Sequence, residues 1–488
     1  MKMDYSYYHD TRFAELDCPI DDVVATMHVD DDDRNVMVLD FDKVEPDREI
    51  DAHTLSKFLE EYYYDLEVVE IKSDNPVHLV GDASSMFAHL YRVDGCENLD
   101  VSGVTNMYGM FIGCNDDDFN PNIGEWDVSN VIEMSNMFSS CSGEHFNPDI
   151  GSWDVSNVGR MASMFADCCG SDFNPDLSEW NVSRLFDVNE MFRNCSGEAF
   201  NPDFSNWDTS NFNNTWRMFE DCSGDVFNPD VSKWDLSNVA DMYGMFSGCS
   251  GNSFNVDVSK FDTSNVRNMS YVFSGCSGNN FNPDVSQWNV SNVVEMESMF
   301  RGCSNDVFNP DVSQWNTSKL WLVTDMFNGC NGKSFNPDIS SWDTSWFRNM
   351  SRMFSGCNGE SFEAPDLSKV NFGRFMEFSE VEDVLKDVKN LGDSIANKLL
   401  SENFNKPFDL LTKQGKVISV KVSDIDYGKF VVSWDETSGY KPGSVHMNMV
   451  EISDRNQWAK QAKSVSRDVS PIDTKSVDIV EQDDKEYD

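Results

Sequence analysis

The stretch Val128-Ser-Asn-Val131-Ile-Glu-Met134-Ser-Asn-Met137-Phe138-Ser-Ser-Cys141, continuing through Phe146-Asn-Pro-Asp149 to Trp153-Asp154, is one copy of a unit that recurs every 27 residues. The cysteines mark its phase: Cys114, Cys141, Cys168, Cys195, Cys222, Cys249, Cys276, Cys303, Cys330 and Cys357 are each 27 apart. A phenylalanine column runs from Phe111 to Phe354, and a tryptophan column from Trp126 to Trp342 with Phe261 as its one substitution. A fixed period in this range belongs to repeat arrays, where each copy buries its apolar residues only against its neighbours. The fold class expected here is an α/β solenoid.

Two pieces are predicted within each 27-residue rung. Asp149-Ile-Gly-Ser-Trp-Asp-Val155 alternates apolar and polar positions and suits a short strand that would stack in parallel on its copies. Val158, Met161, Met164, Phe165 and Cys168 follow helical spacing, which predicts a short helix from Asn157 to Cys168 with Ser156 or Asn157 as its N-cap. Gly143, Gly170, Gly197 and Gly224 stand where a left-handed residue would end that helix. Phe146-Asn-Pro-Asp149 reads as the turn into the next strand.

The ends lack the period. Residues 1–83 read as an α/β N-terminal cap, with strands at Val36–Asp42 and Val68–Lys72 and a helix at Thr54–Leu66 presenting Leu55, Phe58, Leu59 and Tyr62 on one face. Asp30 to Asp33 form a solvated acidic loop, because the glycine and terminal glutamate of a calcium loop are missing. The array is assigned to residues 84–372, with Met86-Phe87 and Cys96 as a first, imperfect rung. Ser379 to Leu400 predicts a helix within a 373–402 segment. Four short strands, in Pro407–Thr412, Lys416–Val422, Lys429–Trp434 and Val445–Val450, predict a small SH3-like β-barrel over 403–453. Residues 454–488 read as a disordered acidic tail.

Acidic residues number 85 against 37 basic ones, a net charge of −48 over 488 residues. That balance repels nucleic-acid phosphates and anionic membranes and favours cationic partners. No apolar secretory segment opens the chain and no run of about 18 apolar residues occurs, so neither classical secretion nor membrane insertion is expected. The 13 cysteines, mostly one per repeat beside Met-Phe, are expected to be free, buried thiols.

Catalysis is not expected, since no Gly-x-Ser-x-Gly, Walker-type or paired-histidine motif accompanies the seven histidines. Phe138, Cys141, Trp153, Phe165, Cys168 and Trp180 are assigned to a structural core ladder, with no metal ligand set and no cofactor. The acidic columns, Asp149 to Asp338 and Asp127 to Asp343, are expected to cap backbone amides, with weak calcium binding as the alternative. Binding residues are sought where letters change at constant phase, as at Gly159-Arg160 and Asn213-Asn214. Trp216, Arg217, Arg301, Trp321, Trp346, Arg348 and Arg352 stand out, because aromatic and arginine side chains dominate interface hot spots.

At Trp234-Asp-Leu-Ser-Asn-Val239, Met242-Tyr-Gly-Met-Phe246, Cys249 and Phe254 the chain resembles the BspA-like, mycoplasma-lipoprotein-type repeats, a branch of the leucine-rich repeats. Asn228-Pro-Asp230 matches that family's Asn-x-Asp turn, and the resemblance covers roughly residues 84–372. It implies a right-handed, leucine-rich-repeat-like array and a non-catalytic scaffold for protein binding or adhesion on surfaces, found also in phage and large-virus proteins. A surface ligand or protein partner in a larger phage or viral assembly, in the virion or the host cytoplasm, is the expectation. The alternative is an acidic intracellular inhibitor that imitates DNA.

Overall fold

The computed structural model describes residues 14–363, apart from Ser345, Arg348, Asn349, Ser351 and Asn358, and the backbone of five strands between residues 376 and 449. Two compact units divide the chain, Met1–Asn371 with Leu399–Asn403, and Phe372–Lys398 with Phe404–Asp488.

The first unit opens with an α/β segment. Strands β1 (Ala14–Leu16), β2 (Val24–Val29), β3 (Asn35–Asp40), β5 (Val68–Lys72) and β7 (Arg92–Asp94) form a sheet in that order, antiparallel through β3 and parallel beyond it. Asp30 makes the β2–β3 turn, its carboxylate accepting the Asp32 and Arg34 amides. Strands β4 (Glu49–Asp51), β6 (Val77–Asp82) and β8 (Leu99–Asn106) form a parallel sheet that leads into the repeats. Helix α1 (Ala52–Glu60) is capped by Asp51, which accepts the Thr54 amide, and buries Leu55, Phe58 and Leu59. It stops six residues short of the predicted Leu66, in successive turns through the half-exposed Tyr62 and its neighbours.

From β8 onward, equivalent residues of successive repeats join in parallel bridges: Asn106 to Glu133, Glu133 to Arg160, and so on every 27 residues to Leu322. Neither element predicted within the rung forms. The predicted strand at Asp149–Val155 is a turn, and Asn157–Cys168 is not a helix but a run of tight turns around the bridge at Arg160. Hydrogen bonds explain the difference. The amides of Met161, Ser163, Phe165 and Asp167 donate to carbonyls of the next rung (Asp187, Asn189, Met191, Arg193), while those of Met164, Ala166 and Cys168 donate three residues back. All these amides are used without a helix or a continuous strand, as buried backbone requires.

Such a path needs positive φ every fourth residue. Ser163 (54°) and Asp167 (62°), Glu190 (55°) and Asn194 (56°), and Gly244 (62°) and Gly248 (73°) provide it. The result is two residues in and two out, seen at Val188 in, Asn189-Glu190 out, Met191-Phe192 in, Arg193-Asn194 out and Cys195 in. This four-residue period mimics helical spacing in the sequence. Gly143, Gly170, Gly197 and Gly224 are not left-handed either. They let rungs approach: a Cβ on Gly197 would lie 2.4 Å from the Gly170 carbonyl oxygen.

The core consists of columns. Phe138, Phe165 and Cys168 are fully buried, as is Cys141, and Trp153 and Trp180 nearly so. Phenylalanine rings stack between rungs, Phe138 on Phe165 at 5.8 Å and Phe219 on Phe246 at 5.5 Å. Each ladder cysteine from Cys141 donates its thiol to the phenylalanine carbonyl 30 residues earlier, Cys141 to Phe111 at 3.1 Å. The indole of Trp180 donates to the Ile150 carbonyl at 2.9 Å. Outside, each Asn side chain from Asn120 to Asn309 accepts the amide of the Asn one repeat later.

In the second unit, β9 (Met376–Phe378), β10 (Phe408–Leu411), β11 (Val417–Asp426), β12 (Lys429–Trp434) and β13 (Gly443–Met449) form an antiparallel sheet in the order β10-β11-β12-β13-β9. The four strands expected here are present, and β9 joins them from the segment read as helical. Among the described residues no pairing connects β10 to β9, so the sheet is open where a closed barrel was expected. The predicted helix at 379–400 and the tail at 454–488 lie outside the described residues.

Candidate protein-binding crest

The two-in, two-out path presents one face of the array on which the columns vary. Inward positions hold Met, Phe and Cys. The position after the first inward residue reads Tyr108, Ser135, Ala162, Asn189, Trp216, Tyr243, Ser270, Glu297 and Thr324; the small Ser135, Ser270 and Thr324 are buried there, and the others reach the surface. The amide at this position has no backbone carbonyl partner in the path, and the side chain of the bridge residue accepts it at mid-crest: Asn214 from Trp216 and Asp241 from Tyr243, both at 2.9 Å, whereas the Glu297 amide donates to the Ser270 hydroxyl. The cap that closes the turn thereby also places the aromatic side chain. The bridge-residue column, its preceding neighbour and the outward pairs together make a crest along the first unit.

At mid-crest the side chains interlock. The Arg217 guanidinium lies 4.5 Å over the Trp216 ring and 5.5 Å over Tyr243, and the Tyr243 and Tyr271 rings are 5.1 Å apart. Glu220 and Glu190 flank Arg217 at 3.4 and 3.9 Å, and Arg193 pairs with Asp167 at 2.9 Å. Further along, the Tyr271 hydroxyl donates to Glu297 at 3.3 Å, and Arg352 grips Asp325 with two bonds of 3.0 and 2.7 Å. Burial pushes the carboxyls of Glu220 and Glu297 above the usual range despite nearby arginines. Earlier on the crest, Arg160 covers Phe186 at 5.6 Å and pairs with Glu133.

The structure joins Trp216 and Arg217 in one stacked pair. Arg301 is exposed on the rung of Glu295, Trp321 is half-buried beside Leu322, and Arg352 sits one repeat beyond Asp325. Trp346 is exposed, and Arg348 lies outside the described residues. Tyr243, Tyr271, Glu190, Arg193, Glu220 and Glu297 belong to the same crest but were missed in the sequence. Writing the repeats in register and reading the outward letters on either side of each inward pair (Met191-Phe192 and its copies) would have found them.

The acidic columns lie on other faces and are occupied by turns. Asp176 accepts the Ser178 amide and hydroxyl, and Asp154 accepts the Ser156 amide; serine donors hold both carboxyls below the usual range. Asn181, Asn289 and Asn316 accept the same bond in their gaps of the column. Among the described residues no group of three or more His, Cys, Asp or Glu is placed to hold a metal ion. Among them, too, no helix is long and apolar enough to cross a membrane.

A family model described as Mycoplasma protein of unknown function, DUF285, matches residues 81–197, 170–253, 249–368 and 276–393. These overlapping matches span 81–393, well over half of the 488 residues. The chain belongs to the DUF285 family. No curated protein and no solved structure matches it. In this DUF285 chain the matched region contains all the stacked repeats and the whole crest, together with β9 of the second unit.

Proposed function

We propose that this DUF285 chain is a non-catalytic repeat scaffold that binds a protein partner through the crest. In its finer form the proposal is a right-handed, leucine-rich-repeat-like solenoid of BspA-like type, with the C-terminal sheet as an attachment module. One observation carries it: the array segregates its cations by type. Arg160, Arg193, Arg217, Arg267, Arg301 and Arg352 stand on crest columns, whereas Lys233, Lys260, Lys319 and Lys333 stand off them, as does Arg184. Arginine and aromatic enrichment with lysine depletion is the compositional signal of a protein interface. Solubility alone would not sort arginine from lysine by face.

A photo-crosslinking residue placed at Tyr243, and in a second protein at the exposed Val226 away from the crest, tests the reading. In extracts of the native cell, discrete protein adducts are expected from position 243 and not from 226. The same adducts from both positions, or none from 243, would remove the crest as the interface.

A further inference from the structure

The Tyr243–Tyr271 pair lies between two half-buried carboxylates on the crest. On one side is Glu220, whose cation Arg217 is shared with Glu190 and held over the Trp216 and Tyr243 rings. On the other is Glu297, bonded to the Tyr271 hydroxyl and within the field of Glu295 and Asp325, while the nearby Arg352 is bound by two bonds to Asp325. Both carboxyls are desolvated more than their cations offset. Aromatic faces beside under-compensated carboxylates suit a long cationic side chain, whose stem packs on the ring while its head meets the acid.

We propose that this part of the crest docks a basic segment of a partner protein, with lysine or arginine heads meeting Glu220 and Glu297 and their stems crossing Tyr243 and Tyr271. The proposal rests on the crest being the interface. Charge complementarity selects this occupant: a chain of net charge −48 draws cationic partners from a distance, and the two carboxylates fix them at short range. A second copy of the chain carries the same charge and is disfavoured.

The probe is a short fluorescein-labelled Lys/Leu peptide, with its Glu/Leu counterpart as control, titrated onto the full chain by anisotropy. Glu220→Gln with Glu297→Gln, and separately Tyr243→Ser with Tyr271→Ser, are each expected to weaken Lys/Leu binding by roughly tenfold. Asp230→Asn with Asp257→Asn, off the crest, is expected to leave it unchanged, and thermal melts verify that each variant is folded. Equal weakening by the off-crest pair, or none by the crest pairs, would overturn the proposal as general polyanion attraction. If the crosslinker at position 243 captures a partner whose attached peptide is not basic, this proposal falls and the scaffold reading stands; if position 243 captures nothing, the scaffold reading itself falls.

Discussion

Two tryptophans of one column differ by a single hydrogen bond. Trp180 donates its indole N–H to Ile150, whereas the buried Trp234 Nε1 has no partner, because Phe204 stands where the aliphatic residue of the column stands in other rungs and packs edge-on against its ring. Trp180→Phe leaves the Ile150 carbonyl with the Trp153 amide as its remaining donor, removes the indole bond and opens space, and is expected to cost about 2 kcal/mol. Trp234→Phe removes a donor that is already unpaired, so its cost is expected to be at least about 1 kcal/mol smaller. Paired denaturant melts check the difference, and equal costs would show that the bond to Ile150 contributes nothing. The signal for this contrast, Phe204 in place of Ile, Val or Leu, is visible in the sequence; the ring geometry that turns it into a lost bond is not.

At the level of one rung, close approach and turn capping set the tolerances. Gly197→Ala would drive a methyl group into the Gly170 carbonyl, with backbone on both sides and little room to yield. It is expected to cost at least about 2 kcal/mol, read as a lowered midpoint in chemical denaturation. Asp176 behaves differently, because its work is to accept two serine bonds. Asp176→Asn should be neutral within about 0.5 kcal/mol, as the native Asn181 turn indicates, whereas Asp176→Ala should cost on the order of 1 kcal/mol. Calorimetry of the two variants separates capping from charge. The period, the inward letters and the turn acids of the rung could be read from the chain. Its backbone could not, since two-in, two-out spacing at Val158, Met161, Met164 and Phe165 satisfies a helical template as well as stacked turns. The choice between them lies in hydrogen bonds to a rung 27 residues away.

Across the first unit, the balance of charge sets the response to pH. Asp154, Asp176, Asp230, Asp235, Asp257 and Asp338 have carboxyls held below the ordinary value, so their contribution is present above about pH 4 and lost as pH falls through the depressed values. Glu220 and Glu297 are raised, so their contribution is present below about pH 4 and lost as pH rises through their folded values. Self-repulsion at net charge −48 acts in the same direction as these two. Thermal stability is therefore expected to rise from neutral pH towards about pH 5 and to fall below about pH 4, with added salt raising the neutral value. Melting curves against pH and salt test this, and a melting temperature that drops steadily from neutral pH would contradict it. The column thiols, buried and pushed far up, should stay closed to aqueous thiol reagents until global unfolding, with Cys18 and Cys169 the accessible exceptions. Stepwise labelling of the column under native conditions would mean that rungs open singly.

By itself the sequence determined that the chain is an array, where its copies begin, which letters face inward and how acidic the whole is, because burial against an identical neighbour imposes one residue type on each column. Only the tertiary structure decided that stacked turns replace the strand and helix, that the cysteine-phase glycines serve close approach, and that the scattered Trp216, Arg217, Tyr243, Tyr271 and Glu297 share one crest. Those decisions depend on contacts between residues a full repeat apart, which no local pattern encodes.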